Sequence, residues 1–143
     1  MPLTRVYIPL TPADLTGLAE GQPLGPAPRP AHAVTPALGK PGLVTDEEEL
    51  EHTAWVAATD EALAAADADG RRRVVAAADV DAAVVGHPTS ADVPSRVEVS
   101  APVELRRIVS FHIDEEPGSS EPTDLLWYDV TELAAVRTLL DQP

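Results

Sequence analysis

The sequence predicts a single small domain of the α/β or α+β class: a mixed sheet of about four to five strands packed by one long helix and two or three short ones. Short alternating stretches indicate strands, and a long alanine-rich segment with a capping signal indicates a helix. The 143 residues suit one domain, 1–143, with a single core. Because only 3% of the residues are aromatic, Ala, Val, Leu and Ile must fill that core and the backbones must pack closely.

The N-terminal third contains short elements separated by breaks. Arg5–Ile8 alternates as a strand, and Thr11 followed by a proline predicts the start of a short helix. The segment 21–30 carries four prolines and two glycines, which predicts a Pro/Gly-rich loop. Ala31–Val34 is predicted as a short edge strand, followed by a helical turn that begins at Thr35.

One long helix is predicted from Thr45 to Asp69. Thr45 and Glu48 match the capping box, in which each side chain bonds to the other residue's backbone, and Gly70 suits the end of the helix. A wide apolar arc predicts burial against a sheet, with Trp55, Val56 and Leu63 on its flanks. The centre of that arc is predicted to be Leu50, Ala54, Ala57, Ala58 and Ala65.

The C-terminal half is predicted to hold most of the sheet. Arg71–Ala78 has the composition of a strand covered on both faces, and Arg96–Val99 and Leu125–Tyr128 are further strands. Residues 115–123 are predicted to form an acidic mobile loop, and Asp129 to Glu132 is a helix start. In the strand 108–114, alternation predicts one face of Val109, Phe111 and Ile113 and an opposite face of Ser110, His112 and Asp114.

Composition excludes several classes of function. Ten basic against 24 acidic residues give a net charge of −14, which repels phosphate backbones and anionic membranes, so neither is expected as a partner. The lack of cysteine excludes disulfides, thiolate metal sites and Cys nucleophiles. The lack of a signal peptide or a long apolar run predicts a cytoplasmic protein. Without a phosphate-binding glycine motif, a serine elbow or an H-x-x-x-H pair, we assign no cofactor, no metal and no catalytic residue.

Three residues are the candidate ligand-binding residues. His32 lies between the Pro-rich loop and a helix start, and Tyr7 is on the first strand. Arg73 belongs to the one basic cluster, 71–73, which could bind an anion or neutralise the end of the acidic helix. A pocket would bring His32 together with a carboxylate and with Tyr7 or an arginine. The alternative for His32 is a hydrogen-bonded structural histidine.

Other polar pairs have two interpretations each. His112 and Asp114 could form a histidine–carboxylate pair or a partial metal site, or stand at a solvated strand end. Glu48 and His52 could hold a divalent ion weakly, or simply belong to the negative first turns of a helix. Trp127-Tyr128 splits across two strand faces, so one ring is expected in the core and the other exposed to a partner.

As a set, five segments resemble a family of small, acidic actinobacterial proteins of unknown function. The resemblance spans nearly the whole chain and implies a one-domain cytoplasmic protein, with no activity, cofactor or site residue to transfer. The segments are Arg5–Pro9, Ala31–Leu38, Asp46–Glu51, Arg71–Val80 and Leu125–Tyr128.

Three functions remain open at this point. The leading one is a non-enzymatic binding or regulatory protein that contacts a protein partner or a second copy of itself through an exposed strand edge or the Trp127-Tyr128 region. The second is a small enzyme or metal-dependent ligand-binding protein with a pocket near His32. The third is an acidic mimic of nucleic acid that occupies a basic protein.

Overall fold

A computed structural model describes residues 2–35, 47–69, 71–88, 92–118, 121 and 125–142, with side chains to residue 66 in the second range. Six strands form one sheet in which every neighbouring pair is antiparallel. They are β1 (Leu3–Pro9), β2 (Arg29–Ala33), β3 (Val74–Asp81), β4 (Arg96–Val99), β5 (Ile108–Asp114) and β6 (Leu125–Asp129). The order across the sheet is β4-β2-β1-β3-β5-β6.

The sheet corrects the prediction in three ways. It has six strands instead of four to five, and it is antiparallel instead of mixed. β2 is an interior strand, because it pairs with β1 on one side and with β4 on the other. Prolines precede β2 and one lies within it, and this composition hid a strand that begins inside the predicted loop 21–30.

Three α-helices cover the sheet: α1 (Pro12–Ala19), α2 (Glu47–Asp69) and α3 (Leu133–Leu140). Thr11 caps α1 as predicted, in a reciprocal capping box with Asp14. Asp129 and Glu132 form the second predicted box, which opens a short 3-10 turn that leads into α3. The predicted cap at Thr45 and the helical turn after Thr35 lie outside the described residues.

The main core lies between one sheet face and the helices α1 and α3. Leu15 and Leu18 from α1 and Val136 and Leu140 from α3 are buried there. The sheet supplies small and β-branched side chains, and Phe111 is the one buried phenylalanine. The sheet side of this core includes Val6, Ile8, Ala31, Ala33, Val74, Ala76, Ala78, Val97, Val99, Phe111 and Ile113.

α2 packs on the opposite face of the sheet through small residues. Its buried row is Ala54, Ala58, Ala62 and Ala66, one residue every four positions along the helix. Ala58 and Ala62 pack against Val75 of β3. The predicted arc was partly wrong, because Ala65 is exposed and Ala57 only half-buried.

The basic cluster Arg71–Arg73 precedes β3 instead of beginning it. Arg72 and Arg73 are both buried, and neither neutralises the long helix. Arg72 donates to the carbonyls of Leu139 and Gln142 at the C-terminal end of α3, at 2.9 and 2.6 Å.

A bulge in β5 explains why the predicted orientation of Val109 was wrong. Ala77 pairs with Ser110 while Ala78 pairs with Ile108, so Val109 is an extra residue in β5. Val109 is therefore exposed instead of inward.

A buried ion pair joins the start of β3 to the end of β5. The Arg73 guanidinium donates to the Asp114 carboxylate at 2.7 and 2.9 Å, and the Arg73 backbone N–H donates to it at 2.7 Å. Both side chains are almost wholly buried, so Asp114 is not at a solvated strand end. Arg73 also donates to the carbonyl of Glu121, at 2.7 Å, in the predicted acidic loop 115–123. Residues 119, 120, 122 and 123 of that loop lie outside the described residues.

We expect Asp114→Asn to lower the free energy of unfolding by about 3–5 kcal/mol, because it leaves the Arg73 charge buried and unbalanced. Urea unfolding measures this loss. Glu104→Gln is the matched control, because it breaks an exposed ion pair with Arg106 and should leave the midpoint unchanged. Equal midpoints for the two variants would contradict the role given to the buried pair.

Candidate functional site

An open cleft of about 300 Å³ lies between the first half of α2 and the sheet; we call it the α2 cleft. Strands β1, β3, β5 and β6 form its floor, because alternate residues of each strand face α2. The helix contributes one face of its first three turns. The lining residues are Arg5, Tyr7, Glu48, Glu51, His52, Trp55, Ala77, Ser110, His112 and Trp127.

Strand register explains why these side chains meet. Tyr7 pairs with Ala77, which pairs with Ser110, so one row of the sheet crosses the cleft. In the next row, His112 of β5 pairs with Trp127 of β6. Directly opposite residues in antiparallel strands point to the same face, so each row presents its side chains to α2.

Aromatic rings form one wall of the cleft. The Trp55 ring packs edge-on against Tyr7, with centroids 5.7 Å apart, and against His112, with centroids 4.6 Å apart. Trp127 stands beside them with 64% of its surface exposed, the largest exposed fraction of any large apolar side chain in the described part of the chain. Tyr128 packs against the main core, which confirms that the two neighbouring rings lie on opposite faces.

Acidic groups dominate the electrostatics of the cleft. Arg5 is neutralised by Asp79, to which its guanidinium donates two hydrogen bonds of 2.6 and 3.0 Å. Glu51 forms no ion pair with a described residue, and Glu48 brings a second carboxylate to the same rim. Burial, followed by the charge of Glu51, raises the pKa of the Tyr7 phenol, so this ring stays a neutral hydrogen-bonding group.

His112 is a neutral imidazole at pH 7. Burial, followed by the nearby positive charge of Arg5, lowers its pKa from 6.5 to about 4. The ring Nε2 lies 2.9 Å from the Ser110 hydroxyl oxygen, two residues away on the same strand face. His112 is not paired with Asp114, which was one of the two interpretations of these residues, because the Asp114 carboxylate accepts from the Arg73 guanidinium and backbone N–H instead.

The polar groups of the cleft suit binding better than proton transfer. A general base works best when its pKa lies near the working pH, and that of His112 lies well below neutrality. Ser110 is buried, so its hydroxyl is poorly placed to attack a bound substrate. Among the described residues, no group of three histidine, aspartate or glutamate side chains could hold a metal ion, and Glu48 and His52 gain no third ligand.

His32 is buried in a network beside the cleft. His32 of β2 is the strand partner of Tyr7 in β1, but it does not line the cleft, because only 2% of it is exposed. Its Nδ1 lies 2.9 Å from the Ser95 hydroxyl and its Nε2 lies 3.3 Å from the Glu61 carboxylate of α2. Arg96 reaches the same Glu61 carboxylate at 3.2 Å. His32 bonds to these side chains, so it ties the helix to the sheet.

Of the three predicted residues, the structure therefore places one in the cleft. Tyr7 lines the cleft. His32 lies beside it and contacts Glu61 of α2, and Arg73 lies just before β3, where it pairs with Asp114. The prediction missed Trp55, Arg5 and Ser110 as lining residues. The available signal was the alternation of polar or aromatic side chains on two strands that face a long helix.

A second groove, of about 430 Å³, lies next to the Pro-rich loop. Glu61 and Ala65 of α2 line it together with Pro26, Pro28 and Arg29. The Arg29 guanidinium donates two hydrogen bonds, of 2.7 and 2.6 Å, to the Asp14 carboxylate of α1, so it is not free to bind a ligand. The predicted pocket near His32 corresponds most closely to this groove, although His32 itself does not line it.

The fold and the cleft define a small antiparallel α+β domain with an open, aromatic, acidic cleft between a long helix and the sheet. Residues 4–121 match the model of a family of unknown function (DUF6912), and the chain belongs to this family. No curated protein and no solved structure matches the chain. None of the helices in the described part of the chain combines the length and the apolar character that crossing a bilayer requires.

We expect His112 to reduce stability in mild acid. Above pH 6.5 its ring is neutral in both states, but between 6.5 and about 4 the unfolded chain binds a proton that the folded chain does not. The free energy of unfolding should therefore fall by roughly 2 kcal/mol across this window, a figure reduced for the partly exposed ring. Urea unfolding from pH 7 to 4.5 measures the slope.

The His112→Gln variant should flatten this slope, because glutamine can still bond to Ser110 and does not titrate. His87→Gln, at an exposed histidine, should keep the wild-type slope. Identical slopes for wild type and His112→Gln would contradict the assignment.

Proposed function

We propose that this protein is a non-enzymatic binding protein and that its α2 cleft binds a cationic group of its ligand. The observation that carries the proposal is the exposed Trp127 ring, which faces an open cleft whose wall is already formed by Trp55 and Tyr7. A large apolar ring left exposed beside a cleft is typical of a binding site.

Cations bind to aromatic faces of this kind. A guanidinium or ammonium within about 6 Å of an indole centroid gains roughly 0.5–2 kcal/mol, depending on how far it is desolvated. A guanidinium is planar and weakly hydrated, so it can lie on the Trp127 face while its edge donates to a carboxylate. Glu51, on the rim of the same cleft, offers such a carboxylate.

The charge of the molecule supports the same ligand. The net charge of −14 attracts cations at long range and accelerates their association. Arg5 also lines the cleft, but its repulsion of a cationic ligand is weakened because Asp79 balances its charge. An anionic ligand would have to approach Glu51, which lies on the same rim.

Binding is favoured over catalysis by the chemistry of the polar groups. Ser110 is buried and the pKa of its neighbour His112 lies near 4, so the pair is a weak nucleophile and base at neutral pH. The neutral Tyr7 hydroxyl, which lines the cleft, can orient a ligand by hydrogen bonds. The enzyme and nucleic-acid-mimic alternatives, the cytoplasmic location and the actinobacterial origin stay predictions.

The direct test uses N-acetyl-arginine amide, whose one charge is its side chain. Trp55 and Trp127 are the two tryptophans of the chain and both line the cleft, so intrinsic fluorescence reports on the cleft alone. We expect saturable binding with a Kd on the order of 1 mM, as suits a single anchored group. The isosteric N-acetyl-citrulline amide, which lacks the charge, should bind about fivefold more weakly or not at all.

A variant pair locates the site. Trp127→Ala should weaken binding of N-acetyl-arginine amide by about fivefold, with Trp55 as the remaining reporter. Leu3→Ala is the matched control, because it shortens another exposed apolar side chain, one that does not line the cleft. Equal binding of the arginine and citrulline compounds, or equal losses in the two variants, would overturn the proposal.

A further inference from the structure

We infer that the cation is carried by an extended basic peptide, which adds to the outer edge of β6 as a seventh strand and directs an arginine into the α2 cleft. This inference rests on the proposed function and names the class of partner that the cleft recognises. Added strands of this kind use main-chain hydrogen bonds for affinity and alternate side chains for specificity.

The two edges of the sheet differ in how they are protected. At the β4 edge, Gly86 donates to the Glu98 carbonyl at 2.9 Å, and Ser100 donates to the Val84 carbonyl at 2.8 Å. A bridge between Val85 and Val99 closes the same edge. β6, in contrast, pairs with β5 alone among the described residues, so alternate N–H and C=O groups of Leu125–Tyr128 point away from the sheet. The N–H of Asp129 is already used, because it donates to the Glu132 carboxylate in the capping box.

The open edge also lacks the usual defences against pairing. Exposed edge strands commonly carry lysine, proline or a bulge, which prevents pairing with another chain. β6 reads Leu-Leu-Trp-Tyr-Asp, with none of these residues and one charge at its end. Its register with β5 is continuous over five pairs, from Ser110↔Asp129 to Asp114↔Leu125. A regular edge whose one charge lies at its end is a good template for another strand.

The edge and the cleft are joined by Trp127, which belongs to both. A residue placed opposite Trp127 on an added strand would have its Cβ about 4.5–5.5 Å from that of Trp127, on the same sheet face. Side chains at that spacing are direct neighbours, so a long basic side chain can place its charge within about 6 Å of the indole centroid, as a cation–π contact requires. An arginine at this position can lay its guanidinium on the exposed indole face and extend toward Glu51 on the cleft rim.

Charge selects a basic peptide over a second copy of this chain. Two copies would bring two net charges of −14 together, which opposes edge-to-edge pairing. A basic peptide reverses the sign of this interaction. We therefore assign the edge to a cationic partner and make a homodimer an outcome of the test.

The test uses the full chain and the peptide Ac-Val-Thr-Arg-Thr-Val-NH2, followed by tryptophan fluorescence. Two methylated versions of the peptide are compared, one with N-methyl groups on residues 2 and 4 and one on residues 3 and 5. Because hydrogen bonding alternates along a strand, one set of N–H groups faces β6 and the other faces solvent. We expect one methylated peptide to lose roughly tenfold or more in affinity while the other binds like the parent.

The outcomes separate this inference from the proposed function. If both methylated peptides bind like the parent, or if the parent binds no better than N-acetyl-arginine amide, edge pairing is overturned and the cleft still binds cations. If neither the parent peptide nor N-acetyl-arginine amide binds, both proposals fail. If sedimentation shows a dimer that Trp127→Ala dissociates, the edge belongs to a second copy, and the assignment to a peptide is overturned.

Discussion

The contact between α2 and the sheet determines the shape of the rest of the molecule. Along its buried face the helix presents an alanine every four residues, and it meets Val75 through Ala58 and Ala62. Side chains this small let the backbones approach closely. Nearer the start of the helix, the rings of Trp55, Tyr7 and His112 stand between helix and sheet, and the α2 cleft opens there. A nearly aromatic-free chain thus concentrates both of its tryptophans at one site.

Polar contacts, some buried and some partly exposed, hold the walls of this cleft in place. His32 and Arg96 fasten α2 to β2 and β4 through the single carboxylate of Glu61. At one end of the sheet, the pair of Arg73 with Asp114 joins the start of β3 to the end of β5. Such contacts cost desolvation, but once paired they fix the relative positions of the elements that they join. A cleft with fixed walls binds its ligand at a smaller entropic cost.

Local patterns predicted the elements better than they predicted their partners. The capping boxes at Thr11 and Asp129 and the helix end at Asp69 follow from nearest neighbours in sequence, and the structure confirms them. β2 was wrongly predicted to be an edge strand. Its position in the sheet depends on pairings between segments more than 60 residues apart, such as His32 with Arg96, which local patterns do not reveal. Arg73 was assigned to a ligand because nothing in the spacing indicates Asp114 as its partner. Tyr7 was identified, but its neighbours depend on long-range structure: Ser110 on the register of the sheet, and Trp55 on how α2 packs against it.

The central claim is that a cation binds in the α2 cleft, which both tryptophans line. The most direct measurement is the set of intermolecular nuclear Overhauser effects between isotope-labelled protein and unlabelled N-acetyl-arginine amide. The account predicts contacts from the arginine side-chain methylenes to the ring protons of both Trp55 and Trp127, since both line the cleft. Contacts to the second groove beside the Pro-rich loop, with none to either indole, would contradict it.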